Sequence, residues 1–140
     1  MSTRADKFTQ TNKIPDVYLD FMTDLTPHPI TKDLMRAKND ASIKQSIKNL
    51  IYTNFGERMF RPTIGSGVNA SLFEPNDEVL ESDLDYYIRK TIGDFEKRAA
   101  VERVVINRMP DDNKVSVSIL FSIINSTQLQ SVNLVLRRVR

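Results

Sequence analysis

Few side chains in this sequence have the types and spacing needed for chemistry. His28 is the only histidine, and there is no cysteine. Without cysteine there is no thiolate zinc site, iron–sulfur cluster, disulfide framework or cysteine nucleophile. One imidazole cannot build a multi-histidine metal site within one chain. A Ser-His-Asp relay would have to run through His28, which stands between Pro27 and Pro29 in a predicted loop. Ser66 lies in Gly65-Ser66-Gly67, which is not the G-x-S-x-G context of a nucleophile elbow. No G-x-x-x-x-G-K-[ST] phosphate loop is present. The glycine-rich stretch follows a predicted helix, whereas a dinucleotide fingerprint follows a strand. Carboxylates remain, with Glu57 and Glu96 as a candidate pair for glycosidase-type acid/base work. Each has an arginine neighbour, Arg58 and Arg98. A nearby cation lowers a carboxylate's pKa, the wrong direction for a general acid. The residues favour a structural ion-pair network, Glu57–Arg58 and Glu96–Arg98, over catalysis.

The elements that must position these groups are legible from periodicity. Val17, Leu19 and Phe21 alternate with polar neighbours and predict one short N-terminal strand. Prolines 27 and 29 then break the chain, and a loop is predicted to about Asn39. Ile43, Ile47, Leu50 and Ile51 predict a helix opened by Asn39 or Asp40 and ending near Asn54, before Gly56. One helical turn is expected over Asn69–Phe73. Leu80, Leu84, Tyr87, Ile88, Ile92 and Phe95 form the strongest helical stripe, with Asn76 or Asp77 as its opening. Within it Gly93 costs about 1 kcal/mol relative to alanine, which predicts a close packing contact there. Val101–Arg108, Val115–Asn125 and Leu129–Leu136 read as an antiparallel meander with the second strand in the centre. On that strand Leu120 and Ile124 are too apolar for a wholly solvated second face. The expected fold is α+β, with two long amphipathic helices packed on an antiparallel β-meander and a short N-terminal strand.

Residues 56–67, GERMFRPTIGSG, hold three of the chain's four glycines. Their mixture of glycine, apolar side chains and fixed charges predicts an ordered brace. It comprises Gly56, Glu57, Arg58, Arg61, Pro62, Gly65, Ser66 and Gly67. Glu57 is expected to be partly buried against Arg58 or Arg61, with Met59 or Phe60 in the core.

At 140 residues, 40% hydrophobic and 27% charged, the chain has the size and composition of one globular domain. Residues 1–13 are expected to be a flexible arm and 14–140 the domain. No apolar run reaches the ~20 residues of a membrane helix, and MSTRADKFTQTNK has no signal-peptide core. These features predict a soluble protein, intracellular when synthesised, with no membrane partner. The net charge of +2 hides a separation. Ser71–Glu96 carries eight acidic and two basic residues, and Lys97–Arg140 carries eight basic and three acidic. Opposite docking surfaces are one consequence and a solvated helix beside a solvated sheet edge is the plainer one. A nucleic-acid-binding module would rest only on the basic balance and the short arginine tail, which lacks interleaved aromatics. No nucleic-acid partner and no cofactor is expected.

The run Ile47–Gly67, IKNLIYTNFGERMFRPTIGSG, followed by Leu72-Phe73-Glu74, resembles the signature of the phage baseplate wedge and tail-sheath initiator family. Upstream, Asp16–Phe21 and Pro27–Leu34 are similar to that family's opening strand and loop. The resemblance covers about residues 14–137. It extends to a component of the type VI secretion baseplate. It implies a structural protein of the virion's tail baseplate, assembled in the host cytoplasm. The family's E-P-R motif, which contacts the helical core bundle of the wedge, corresponds to Glu96-Lys97-Arg98, with lysine in the proline's place. The resemblance therefore implies wedge contacts at Glu96 and Arg98. It also implies that sheath segments join the sheet by strand addition. Together with the edge position of the last strand, this marks Leu129, Ser131, Asn133, Val135, Arg137 and Arg138 as partner-binding. A lysozyme-like glycosidase, an activity sometimes attributed to the family, is the alternative.

Overall fold

Val115, Val117, Ile119, Phe121 and Ile123 alternate along one strand and are all buried, which makes that strand the axis of the fold. In the computed structural model, which describes residues 18–73, 79–109, 113–124, 126 and 128–137, the order is β1 (Leu19–Phe21), β2 (Arg36–Lys38), α1 (Asp40–Tyr52), α2 (Val68–Leu72), α3 (Leu80–Phe95), β3 (Ala99–Met109), β4 (Lys114–Ile123) and β5 (Leu129–Arg137). The expected arm 1–13, Val17, the proposed helix opening at Asn76 or Asp77, and Arg138 lie outside the described residues.

β3, β4 and β5 form an antiparallel sheet with β4 central. Period-two alternation sends the apolar set of β4 and Val132, Leu134 and Leu136 of β5 to one face. The helices cover that face. From α1 come Ile43, Ile47, Leu50 and Ile51, and from α3 Leu80, Leu84, Ile88 and Ile92, the latter spaced four apart. Each such side chain contributes about 1.5–3 kcal/mol on full burial. The second face is wetter. Leu120 is half-buried there, and Ile124, expected to resist solvent, is 53% exposed.

Several expectations are corrected. A second N-terminal strand, β2, pairs antiparallel with β1 in the stretch predicted as loop. Its three residues, Arg-Ala-Lys, bury only Ala37, too short a pattern to register as alternation. The end of helix α1 is as expected, near Asn54 and before Gly56: its last residue is Tyr52, and the Thr53 N–H and Oγ1 both donate to the Asn49 carbonyl. Asn39 stands at the N-cap without capping the helix through its side chain. Its Oδ1 instead accepts the Tyr18 N–H at 3.3 Å and its N–H donates to the Tyr18 carbonyl at 2.7 Å, joining the ribbon to α1. Gly93 is exposed with open space where a Cβ would stand, so it marks no packing contact. The close approaches occur at Gly65 and Gly67.

Candidate partner-binding surfaces

The loop after α1 is built from backbone inward. Gly56, at φ 87°, takes the left-handed turn that glycine tolerates, and its N–H donates to the Pro62 carbonyl at 2.9 Å. Ser66 closes the base: its N–H donates to the Thr53 carbonyl at 2.8 Å and its buried hydroxyl to the Ile51 carbonyl at 2.7 Å. Gly65 lies so near the Asn54 backbone that an added Cβ would be 2.6 Å from its carbonyl carbon. At Gly67 the same atom would meet the Tyr87 ring at 2.8 Å. Ser66 is thus a structural tie rather than a nucleophile.

Glu57 is an internal tie of another kind than expected. One carboxylate oxygen accepts the Asn54 N–H at 2.9 Å and the other accepts Asn54 Nδ2 at 2.7 Å. Asn54 Oδ1 in turn accepts Asn69 Nδ2 at 2.7 Å, so the relay reaches α2. Glu57 is exposed and pairs with an asparagine, which overturns the expected Glu57–Arg58 or Glu57–Arg61 ion pair. Met59 and Phe60, one of which is expected in the core, are 92% and 98% exposed. The tight turn closed between Gly56 and Pro62 puts them at its tip, too far out to reach the core.

Glu96 and Arg98 come together where α3 hands over to β3. Glu96 is 3% exposed, and Arg98 donates to both of its carboxylate oxygens, the Nη2 bond at 2.7 Å. Burial alone would raise the carboxyl's pKa, but the Arg98 hydrogen bonds and charge, helped by the nearby Ser46 hydroxyl of α1, outweigh it and hold Glu96 below its ordinary value. That direction is the reverse of what a general acid needs. The Glu96 hydrogen bond raises the Arg98 guanidinium, which also lies 5.1 Å from the Tyr18 ring centroid. The pair therefore fastens α1, the end of α3 and the entry to β1. Lys97 donates Nζ to the Gly93 carbonyl at 2.6 Å and so satisfies a carbonyl at the helix end.

His28 Nδ1 accepts the N–H groups of Ile30 and Thr31 at 3.3 Å each, a turn-forming role. Among the described residues no group of three His, Asp or Glu side chains converges as a metal site. Among the described residues no helix is long and apolar enough to cross a membrane.

The two sheet edges differ. β3 is interrupted by a register shift between Val101 and Arg103, and Arg89 Nη1 donates to the Val101 carbonyl at 3.4 Å. β5 pairs with β4 without interruption from Lys114↔Arg137 to Ser122↔Leu129. Its Leu129, Ser131, Asn133, Val135 and Arg137 are exposed, with Leu129 at 62% and Val135 at 55%. From α1 the Tyr52 hydroxyl donates to the Val135 carbonyl of this strand at 3.4 Å. Sequence reasoning missed Asn54 as the partner of Glu57 and Asn69 as the next member of that relay. Nothing in their local pattern marks them, because each is brought in by tertiary contact.

Comparison with known proteins places this geometry in context. The sequence profile of the family described as baseplate wedge protein gp25 matches residues 37–128. The baseplate wedge protein gp25 of Enterobacteria phage T4 is 30% identical over 97 residues, 68% of this chain and 72% of that protein. Solved structures of baseplate and related proteins share the fold. A Geobacter sulfurreducens protein designated a tail lysozyme aligns at TM-score 0.65 and 17% identity, over 70% of this chain and 89% of that one. A chain of the anti-feeding prophage baseplate aligns at 0.61 and 20%, over 84% and 83%. A chain of the post-contraction pyocin R2 baseplate aligns at 0.51 and 17%, over 81% and 97%.

Proposed function

The chain belongs to the baseplate wedge protein gp25 family and is a baseplate wedge component of a contractile tail, part of the particle itself; from that premise we propose that it initiates tail-sheath polymerisation by receiving a sheath strand on β5. The observation that carries this reading is the contrast between the sheet edges. β5 keeps unbroken register along its length, with the Tyr52 hydroxyl on its Val135 carbonyl, while β3 is bulged between Val101 and Arg103 and carries Arg89 on its Val101 carbonyl. Strand addition needs a run of edge donors and acceptors in regular register, with alternate side chains setting specificity. Bulges are a common way to discourage such pairing. The exposed residues Leu129, Ser131, Asn133 and Val135 supply the alternate positions on the wet face, and Arg137 favours an acidic incoming segment.

The same reading gives the Glu96–Arg98 corner to the helical core bundle of the wedge. Arg98, whose side chain is 35% exposed, makes the contact, and buried Glu96 fixes its guanidinium. Glycoside hydrolysis draws no support from the geometry, since Glu57 is held by Asn54 and Glu96 titrates low.

Proline scanning of β5 tests the sheath role. Substitutions at the alternate positions whose amides face away from β4 should keep the monomer's circular dichroism and abolish sheath growth on baseplates. Normal sheath growth on such baseplates would remove β5 as the recruiting edge.

A further inference from the structure

We propose that the loop tip Arg58-Met59-Phe60-Arg61 is a preformed plug that inserts into an apolar cleft bordered by carboxylates on another protein of the baseplate. Met59 and Phe60 are 92% and 98% exposed, the two most exposed large apolar side chains among the described residues. Large apolar groups presented together at a surface mark interaction sites. Their exposure does not come from a slack loop. Three backbone hydrogen bonds pin the tip: Gly56 N–H to Pro62 at 2.9 Å, Arg61 N–H to Arg58 at 3.2 Å and Ile64 N–H to Arg61 at 3.1 Å. The Glu57–Asn54–Asn69 relay fixes its stem. A plug ordered before it binds loses less entropy on docking than a loop that must be ordered by its partner.

The charges at the tip identify the partner's chemistry. Glu57 is directed inward onto Asn54, whereas Arg58 and Arg61 flank the apolar pair and make no side-chain hydrogen bond or ion pair among the described residues. A phenylalanine and a methionine bracketed by arginines have the composition of interface anchors, and their charge calls for an acidic rim. This chain's own groove of about 490 Å³, between the β1–β2 ribbon and α1, has the wrong sign for the plug. Lys44 and Lys48 line it together with the single acid Asp24. That groove on a second copy is therefore disfavoured as the receptor.

The proposal rests on the chain's place in the baseplate and is independent of sheath recruitment. The test accordingly uses baseplates assembled without sheath protein, in which the amount of this chain is measured. Met59→Ser/Phe60→Ser should melt at the wild-type temperature, because both side chains are solvated. Its incorporation should fall about ten-fold or more, as for loss of an interface anchor. Arg58→Glu/Arg61→Glu should lower incorporation further than Arg58→Gln/Arg61→Gln. In assembled baseplates Phe60→p-benzoylphenylalanine should photo-crosslink to a different baseplate protein, in a peptide rich in apolar and acidic residues. Equal incorporation of wild type and Met59→Ser/Phe60→Ser overturns the proposal, as does a crosslink to a second copy of this chain or none at all. Equal effects of the glutamate and glutamine pairs overturn the acidic rim. Wild-type chain absent from the baseplates would overturn the proposal together with the membership it rests on.

Discussion

Glu96 sits 3% exposed, with Arg98 on both carboxylate oxygens. Its folded pKa is lowered from 4.5, so the unfolded chain binds the proton more readily than the folded one. The stabilisation this supplies is complete above the unfolded value. It is lost as pH falls through the lower folded value. Truncation of Glu96 to alanine should cost toward the lower end of about 3–5 kcal/mol, because Arg98 keeps some access to water. With Glu96→Gln, the gap in melting temperature from wild type should be widest near neutral pH and should close as pH drops below 4.5. A gap of equal size at both ends of that range would contradict this account of the corner. Local sequence named this pair correctly, because both members lie within three residues of one another. It misjudged Glu57, whose carboxylate found Asn54 rather than an adjacent arginine. Adjacent charges on a turn need not face each other, and spacing alone does not say which way a turn points them.

At the level of elements, the long periodic segments were the readable ones. Leu80, Leu84, Ile88 and Ile92 of α3 and the alternating set of β4 repeat often enough for burial to follow from period alone. β2 was not readable, since three residues carry less than two periods. Neither was the tip of the 56–67 loop, where apolar type suggested burial and turn geometry decided otherwise. Glycine shows the same division. Gly93 looked like a contact point within α3 but stands in open space, whereas Gly65 presses on the backbone of Asn54 and Phe55. Gly93→Ala should therefore stabilise the protein by up to about 1 kcal/mol through helix propensity. Gly65→Ala should destabilise by about 1–3 kcal/mol or more, because the backbone it strikes cannot swing aside as a flexible side chain would. Chemical denaturation of the two variants checks both signs, and a stabilised Gly65→Ala would show that the loop base is looser than its contacts imply.

For the whole molecule, α1 and α3 cover one face of the sheet and leave the other wet, with β3 and β5 as its edges. The buried corner at Glu96 lies at one connection of that body, and the plug at residues 58–61 projects from another. Such an arrangement suits an adaptor: the core holds several surfaces in fixed relation, and the account gives each a different neighbour. Its central claim is that sheath begins on β5. Electron cryomicroscopy of baseplates carrying their first sheath ring measures this directly. The account predicts a sheath strand hydrogen-bonded along the outer edge of β5 from Leu129 to Arg137. A first ring that leaves that edge unpaired, or that adds its strand to β3, would contradict it.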